Sequence, residues 1–233
     1  MLVRKSEERG HNQFSWLDTW HSFSFGEYYD PKWKGFNQLL VINEDYIAEG
    51  MGFGTHPHRD MEILTYVISG ELRHKDSMGN LGIIRPGEIQ VMSAGTGITH
   101  SEHNNIQTER THLLQIWVLP KRNGLVPRYD QKSVFNPDEY NFFKIIAAPF
   151  DKKSEGVSLN ANAQFWLGRY DRSEQINFRP GLFENYWIQI VKGQISINQN
   201  AYTAGDAVAF GASEESKIDV GATGAEFLII EVA

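Results

Sequence analysis

Two short histidine motifs, each at the i, i+2 spacing and each framed by glycines, constrain this chain more than any other feature. The first reads Gly50-Met-Gly-Phe-Gly-Thr-His56-Pro-His58-Arg-Asp-Met-Glu62, the second Ser93-Ala-Gly-Thr-Gly-Ile-Thr-His100-Ser-Glu102. Side chains alternate across a strand, so His56 and His58 share one face, as do His100 and Glu102. Two residues of strand rise span roughly 6.6 Å between Cα atoms, from which two imidazoles can converge on one ion. A lone His-x-His in a chain with eight histidines carries little, because composition alone produces such pairs on solvated or core strands. The framing carries more. Gly70 closes the strand after the first motif, Arg85-Pro86-Gly87-Glu88 turns the chain into Ile89-Gln-Val-Met92, and Ala94-Gly-Thr-Gly97 leads to His100. Gly-bounded strands with ligands at matching parity predict a metal site of His56, His58, His100 and Glu102 on facing walls of a β-barrel.

Three neutral imidazoles and one carboxylate leave a divalent ion near a net charge of about +1, with two positions of an octahedron open. Nitrogen and oxygen donors suit Fe(II), which we favour, and also Ni, Mn, Co, Cu or Zn. The chain has no cysteine, which excludes a disulfide framework, a thiolate zinc site, an iron–sulfur cluster and a cysteine nucleophile. That composition fits a reducing, cytoplasmic compartment. A net charge of −7 with scattered basic residues argues against direct nucleic-acid binding. Apolar runs stop at about five or six residues, far short of a membrane span, and the basic N-terminus lacks the apolar stretch of a signal peptide.

Read in order, Ser22 to Phe25 alternates as a half-buried strand, and Leu39 to Ile47 reads as a strand broken hairpin-fashion at Glu44-Asp45. Pro57 donates no ladder hydrogen bond, so it marks either an edge or bulge or simply the end of pairing. Thr111 to Leu119 is apolar on both faces and predicts a central strand covered on both sides, making His112 a hydrogen-bonded core residue. His103 points away from the ligand face, His74 belongs to a turn signature, His11 to a loop, and His21 to a structural or rim position. Phe53, Met92, Gln115 and Trp117 are candidate pocket walls. Glu62, four residues past His58, is either an outer partner of the ligands or a structural hydrogen-bonding group. A short helix is expected near Pro137 to Tyr140.

The second half echoes the first. Gln189-Ile-Val-Lys192-Gly193-Gln-Ile195 parallels Tyr66-Val-Ile-Ser69-Gly70-Glu-Leu72, and Ala204-Gly205-Asp206-Ala-Val208 parallels Pro86-Gly87-Glu88-Ile89. Such a repeat predicts an all-β chain of two antiparallel barrels on one plan. The expected division is an N-terminal metal-binding barrel over 1–128, a connection over 129–160 and a C-terminal barrel over 161–233. No histidine follows His112, so the second barrel cannot hold an equivalent three-histidine site.

The two motifs resemble those of the cupin superfamily. Gly70 falls one residue late, and Ser93-Ala94-Gly95 stands where the second cupin motif has Pro-x-Gly, while Asn104 keeps its spacing from His100. Those departures, with the carboxylate at Glu102, resemble the pirin subfamily. Further pirin-like segments are Arg4-x3-Glu8-Arg9-Gly10, Phe23-Ser-Phe25 through Pro31, His74-Lys-Asp76-Ser-Met-Gly79-Asn80 and Gln115-Ile-Trp117-Val-Leu-Pro120. The resemblance implies a bicupin fold of jelly-roll barrels. It also implies a quercetin 2,3-dioxygenase type of reaction, in which Glu102 takes the proton of a flavonol hydroxyl and the flavonolate opens with O₂ to release carbon monoxide. Two other readings accompany it: a redox-sensing regulator that binds a transcription or metabolic protein partner without turnover, and a metal-assisted isomerase.

Overall fold

The computed structural model describes residues 1–211 and 215–233. Strand pairing produces three sheets. A seven-stranded sheet runs, edge to edge, through Arg128–Ser133, Glu88–Ser93, Glu62–Ser69, Thr111–Val118, Leu39–Ile47, Leu17–His21 and Gly10–Gln13. A four-stranded sheet runs Gly52–His58, Ile98–Asn104, Leu72–Asp76, Leu81–Ile84. The third, nine-stranded sheet gathers the C-terminal half around its two long strands, Asn185–Ile197 and Ser216–Val232, and takes in the N-terminal strand Leu2–Arg4, which pairs with Ala207–Phe210. Among the described residues the one helical element is a 3₁₀ turn at Ser6–Glu8, and no helix is long and apolar enough to cross a membrane.

The expectation of two closed barrels is corrected here. The fold is bicupin-like, with two β-sheet domains, but among the described residues every sheet stays open. Closure needs a ladder between the last and first strands at a fixed stagger. The small sheet instead ends on a four-residue strand at one side and on the strand carrying Pro57 at the other, and neither edge suits pairing. Side chains close the N-terminal half instead. Leu17, Ile47, Val67 and Leu113 of the large sheet pack on Leu72, Ile84 and Phe53 of the small one. In the C-terminal half the two long strands shift register near Gly193, whose φ is +73°. Their ends then fold back, so that Ile195, Ile197, Ile218 and Val220 share a core with Ile188, Phe227 and Ile229.

Thr111–Val118 lies fourth in the seven-stranded order and is buried on both faces. Leu114, Ile116 and Val118 enter the core shared with Phe165, Trp187, Leu228 and Ile230 of the C-terminal sheet, whereas Leu113, Gln115 and Trp117 face the small sheet. This alternation makes the large sheet the common wall of both halves. A polar link reinforces the join: Tyr66 donates to Glu226 at 2.7 Å, and Arg169 pairs with the same carboxylate at 3.1 Å. The repeated turns match in backbone as well, with φ of +81° and +73° at Gly70 and Gly193, and +92° and +86° at Gly87 and Gly205. Those values explain glycine at each, because other residues are strained there.

Two local expectations also change. Leu39–Ile47 is one continuous strand. Glu44 stays within it paired with Arg9 and His112, and Asp45 stays within it beside Thr19 in the lining of a pocket. Near Pro137 there is a turn in place of a helix, closed by Asn136, whose side chain accepts from the Asp138 amide and whose carbonyl accepts from the Glu139 amide.

Candidate metal centre

The strands Gly52–His58 and Ile98–Asn104 are antiparallel neighbours, with His100 opposite His56 and Ile98 opposite His58. Gly52 allows the close approach, since a Cβ there would meet the Glu102 carbonyl. Register slips beyond His100, so that Glu102 faces Phe53. The extra residue on the first strand forms a bulge that flips parity and turns Phe53 into the same pocket as His56 and His58.

The three imidazoles cluster tightly. Ring centroids are 4.4 Å apart for His56 and His100, 4.9 Å for His56 and His58, and 4.8 Å for His58 and His100. Their candidate ligand nitrogens lie within 4.8 Å of one another. His56 Nδ1 donates to the Gly54 carbonyl at 2.8 Å, which leaves Nε2 as a lone-pair donor. The Nε2 atoms of His58 and His100 are buried without a hydrogen-bond partner. Burial, reinforced by the neighbouring His56, lowers the His58 pKa to about 4 and depresses His100 further. Neutral rings with orphaned, convergent nitrogens fit a divalent cation, and among the described residues no other group satisfies them.

Glu102 is 2 % exposed, and its Oε2 accepts from Gln115 Nε2 at 2.8 Å. The Trp117 indole donates to Gln115 Oε1 at 3.2 Å and so fixes that amide. Burial raises the Glu102 carboxyl to about 7, opposed by the Gln115 bond. Its oxygen groups within 4.8 Å with His100 and with His74, a residue read from sequence as part of a turn. His74 is fully buried, its Nδ1 lies 3.4 Å from His100 Nδ1, and its Nε2 lies 3.4 Å from Asp76 Oδ2. Asp76 is held in turn by the Met78 and Asn80 amides and the Asn80 side chain. The signal was present in the sequence: His74 and Asp76 stand at the same i, i+2 spacing as the two motifs. Outer partners of this kind fix a ligand ring's tautomer and orientation. His74→Asn is therefore expected to weaken metal binding by about 10- to 100-fold with the fold intact, measured by chelator competition. An unchanged affinity would remove His74 from the centre.

The other sequence candidates fall into two groups. Phe53, Gln115 and Trp117 line the pocket that opens on the histidines, a cavity of about 300 Å³. Met92 does not reach it and packs with Ile63, Ala94 and Ile98 against Trp117. Glu62 lies on the opposite face of the large sheet, where it accepts from Ser93 Oγ and from the Asn160 amide, both at 2.9 Å. The parity that linked it to His58 ends because the chain changes sheets between them, turning at Asp60 with φ +48°. His112 bonds Glu44 at 2.9 Å and stacks on Tyr46 in the cleft between the halves. His11 bonds Asp18, and His103 lies with the half-exposed residues of its strand. His21, discounted from sequence, is buried in the pocket wall beside Asn43 and Asp45. Burial raises the Asp45 carboxyl to about 7.

Two open, paired β-sheet domains with one histidine-rich centre in the first define a cupin-like protein with a candidate divalent metal site. Comparison with known proteins is specific. A family model described as Pirin matches residues 2–118, and one described as Quercetinase C-terminal cupin domain matches residues 145–232. The chain belongs to the pirin family of the cupin superfamily. It is 44 % identical over 209 residues to the quercetin 2,3-dioxygenase of Escherichia coli K12, covering 90 % of this chain and 89 % of that protein. The crystal structure of bacterial pirin YhhW from Escherichia coli in complex with nickel(II) aligns with a TM-score of 0.92 and 41 % identity, over 99 % of this chain and 98 % of that one. A structure from Geobacillus kaustophilus, GK1651, aligns with a TM-score of 0.75 at 24 % identity, over 98 % and 93 % of the two chains, and speaks to the fold alone.

Proposed function

We propose that this protein is a metal-dependent dioxygenase of flavonols, consuming O₂ to open the central ring and releasing carbon monoxide. His56, His58, His100 and Glu102 would hold the metal, with Fe(II) favoured and Ni, Mn, Co, Cu or Zn compatible with a nitrogen-and-oxygen donor set. When bound, that ion supplies a Lewis acid for the flavonol oxygens and a partner for O₂. The remaining work belongs to the chain. Phe25 and Trp117, edge-to-face at 5.3 Å, and Phe53 offer apolar walls for a planar ring and keep water from it. Gln115 holds one oxygen of Glu102, and the other, as a ligand able to loosen from the ion, would take the flavonol hydroxyl proton.

The observation that carries this reading is the cluster of three imidazoles, with the Nε2 atoms of His58 and His100 buried and unpartnered, beside a pocket lined by His56, His58 and Glu102 together with Phe25, Phe53 and Trp117. The identity to a curated quercetin 2,3-dioxygenase supports the choice of substrate class. The absence of cysteine fits the cytoplasm as the working compartment. The test is oxygen uptake with quercetin, on protein stripped of metal and reloaded separately with Fe(II), Ni, Mn, Cu or Zn, with headspace carbon monoxide recorded. Uptake is expected to be metal-dependent, matched one-for-one by carbon monoxide, and lost in Glu102→Gln. Tight metal binding with no uptake for any metal would overturn the dioxygenase reading in favour of a regulator or an isomerase.

A further inference from the structure

The wall of the pocket away from the histidines is polar, although the mechanism above does not use it. It is built in register across four neighbouring strands: Gln115 pairs with Asn43 and Asn43 with His21, while Asp45 pairs with Thr19 and Thr19 with Asn12. Adjacent strands are about 4.8 Å apart, so this wall begins beside the amide that holds Glu102 and extends roughly 14 Å from it.

The hydrogen bonds along the wall determine which atoms remain for a ligand. Asn12 Nδ2 lies 3.3 Å from His21 Nε2, and His21 Nδ1 lies 2.7 Å from Asn43 Oδ1. An amide nitrogen can only donate, so His21 Nε2 accepts and its proton sits on Nδ1. His21 then donates to Asn43 Oδ1, which orients the Asn43 amide and leaves its Nδ2 hydrogens for the pocket that Asn43 lines. Two residues on, on the same strand face, Asp45 lies across from Thr19 in the pocket lining, and its carboxyl retains acceptor capacity. A donor and an acceptor, each on a residue 4 % exposed, therefore stand side by side opposite apolar rings.

We propose that Asn43 and Asp45 form a subsite that recognises a phenolic hydroxyl on the ring of the substrate farthest from the metal ligands. One hydroxyl can donate to Asp45 and accept from Asn43, a pairing that neither a bare ring nor a methyl ether reproduces. The substrate class narrows accordingly to planar aromatics hydroxylated at both ends. The inference rests on the flavonol reading of the site and adds the selectivity that the metal end cannot supply. A buried site built to hydrogen-bond a hydroxyl leaves its own polar groups unpaired when that hydroxyl is missing, which makes discrimination strong.

The test compares quercetin with galangin, which lacks hydroxyls on the pendant ring, by anaerobic calorimetry on the nickel-loaded protein. Wild-type protein is expected to bind quercetin at least about tenfold more tightly. Asn43→Leu and Asp45→Leu, each close in volume to the residue replaced, should reduce that ratio to about twofold or less while nickel content stays at the wild-type level. If Asn43→Leu does not fold, Asp45→Leu carries the test alone. A wild-type ratio near one, or a ratio that persists in the variants, overturns the subsite. Oxygen uptake on the same samples separates the two readings: turnover of both flavonols with an unaltered ratio leaves the dioxygenase standing and removes the subsite. Binding of neither flavonol overturns both.

Discussion

His100→Ala is expected to lower metal affinity by more than about 100-fold, beyond the range typical of an outer partner such as His74. His100 belongs to both groups of metal-capable side chains, the one with His56 and His58 and the one with His74 and Glu102. Its removal therefore opens the centre at the point where the groups meet. The metal-free protein should lose little stability, because the ring's buried Nε2 has no partner. A buried unsatisfied nitrogen costs about 1–3 kcal/mol, which offsets the packing that the ring provides. Thermal melts separate the effects: wild-type protein should rise in Tm when metal is added, and His100→Ala should not. A metal-induced rise of wild-type size in the variant would exclude His100 as a ligand.

The largest expected loss of stability lies far from the centre, at Trp187. This residue is 0 % exposed, on a strand of the C-terminal sheet, yet its ring contacts aromatic residues of the first half. Centroids of Phe23, Phe36 and Trp33 lie at 4.9, 6.0 and 6.1 Å, and the indole donates to Gln189 Oε1 at 3.3 Å. Trp187→Ala removes a large ring from a core that both halves share and leaves a cavity that neither half can fill alone. A cost of about 3–5 kcal/mol is expected, or a fall of roughly 10 °C in Tm for a chain of this size. Urea unfolding measures it directly. A loss below about 1 kcal/mol would mean that the halves do not depend on this shared core. Nickel affinity at 25 °C should be nearly unchanged, since Trp187 touches no residue of the centre.

Much of the centre was legible because a strand repeats every two residues. His56 with His58, and His100 with Glu102, needed only local parity to be paired, and glycines at the turns marked where each strand begins. The internal repeat was legible for a related reason: Gly70 and Gly193, and Gly87 and Gly205, occupy positive-φ positions that demand glycine. Parity arguments failed wherever the chain left a regular ladder. The bulge beside His100 brought Phe53 into the pocket, and the change of sheet after His58 sent Glu62 to the opposite face. His74 and Asp76 carry the same spacing as the motifs, but only the pairing of Leu72–Asp76 with Ile98–Asn104 brings them behind His100. His21, Asn43 and Asp45 have no motif at all, and two adjacent strands must pair before they make one wall.

The sequence by itself determined the elements whose cause is local: strands from alternation, turns from glycine φ, pairs of candidate ligands from the i, i+2 spacing, and the want of a second three-histidine site from the last histidine at 112. Tertiary structure alone decided that the sheets stay open, that the seven-stranded sheet is the wall common to both halves, and which side chains complete the centre. Those outcomes depend on which strand ends find partners and on which faces bury together. Both are set by contacts between residues far apart in the chain, on which a local repeat carries no information.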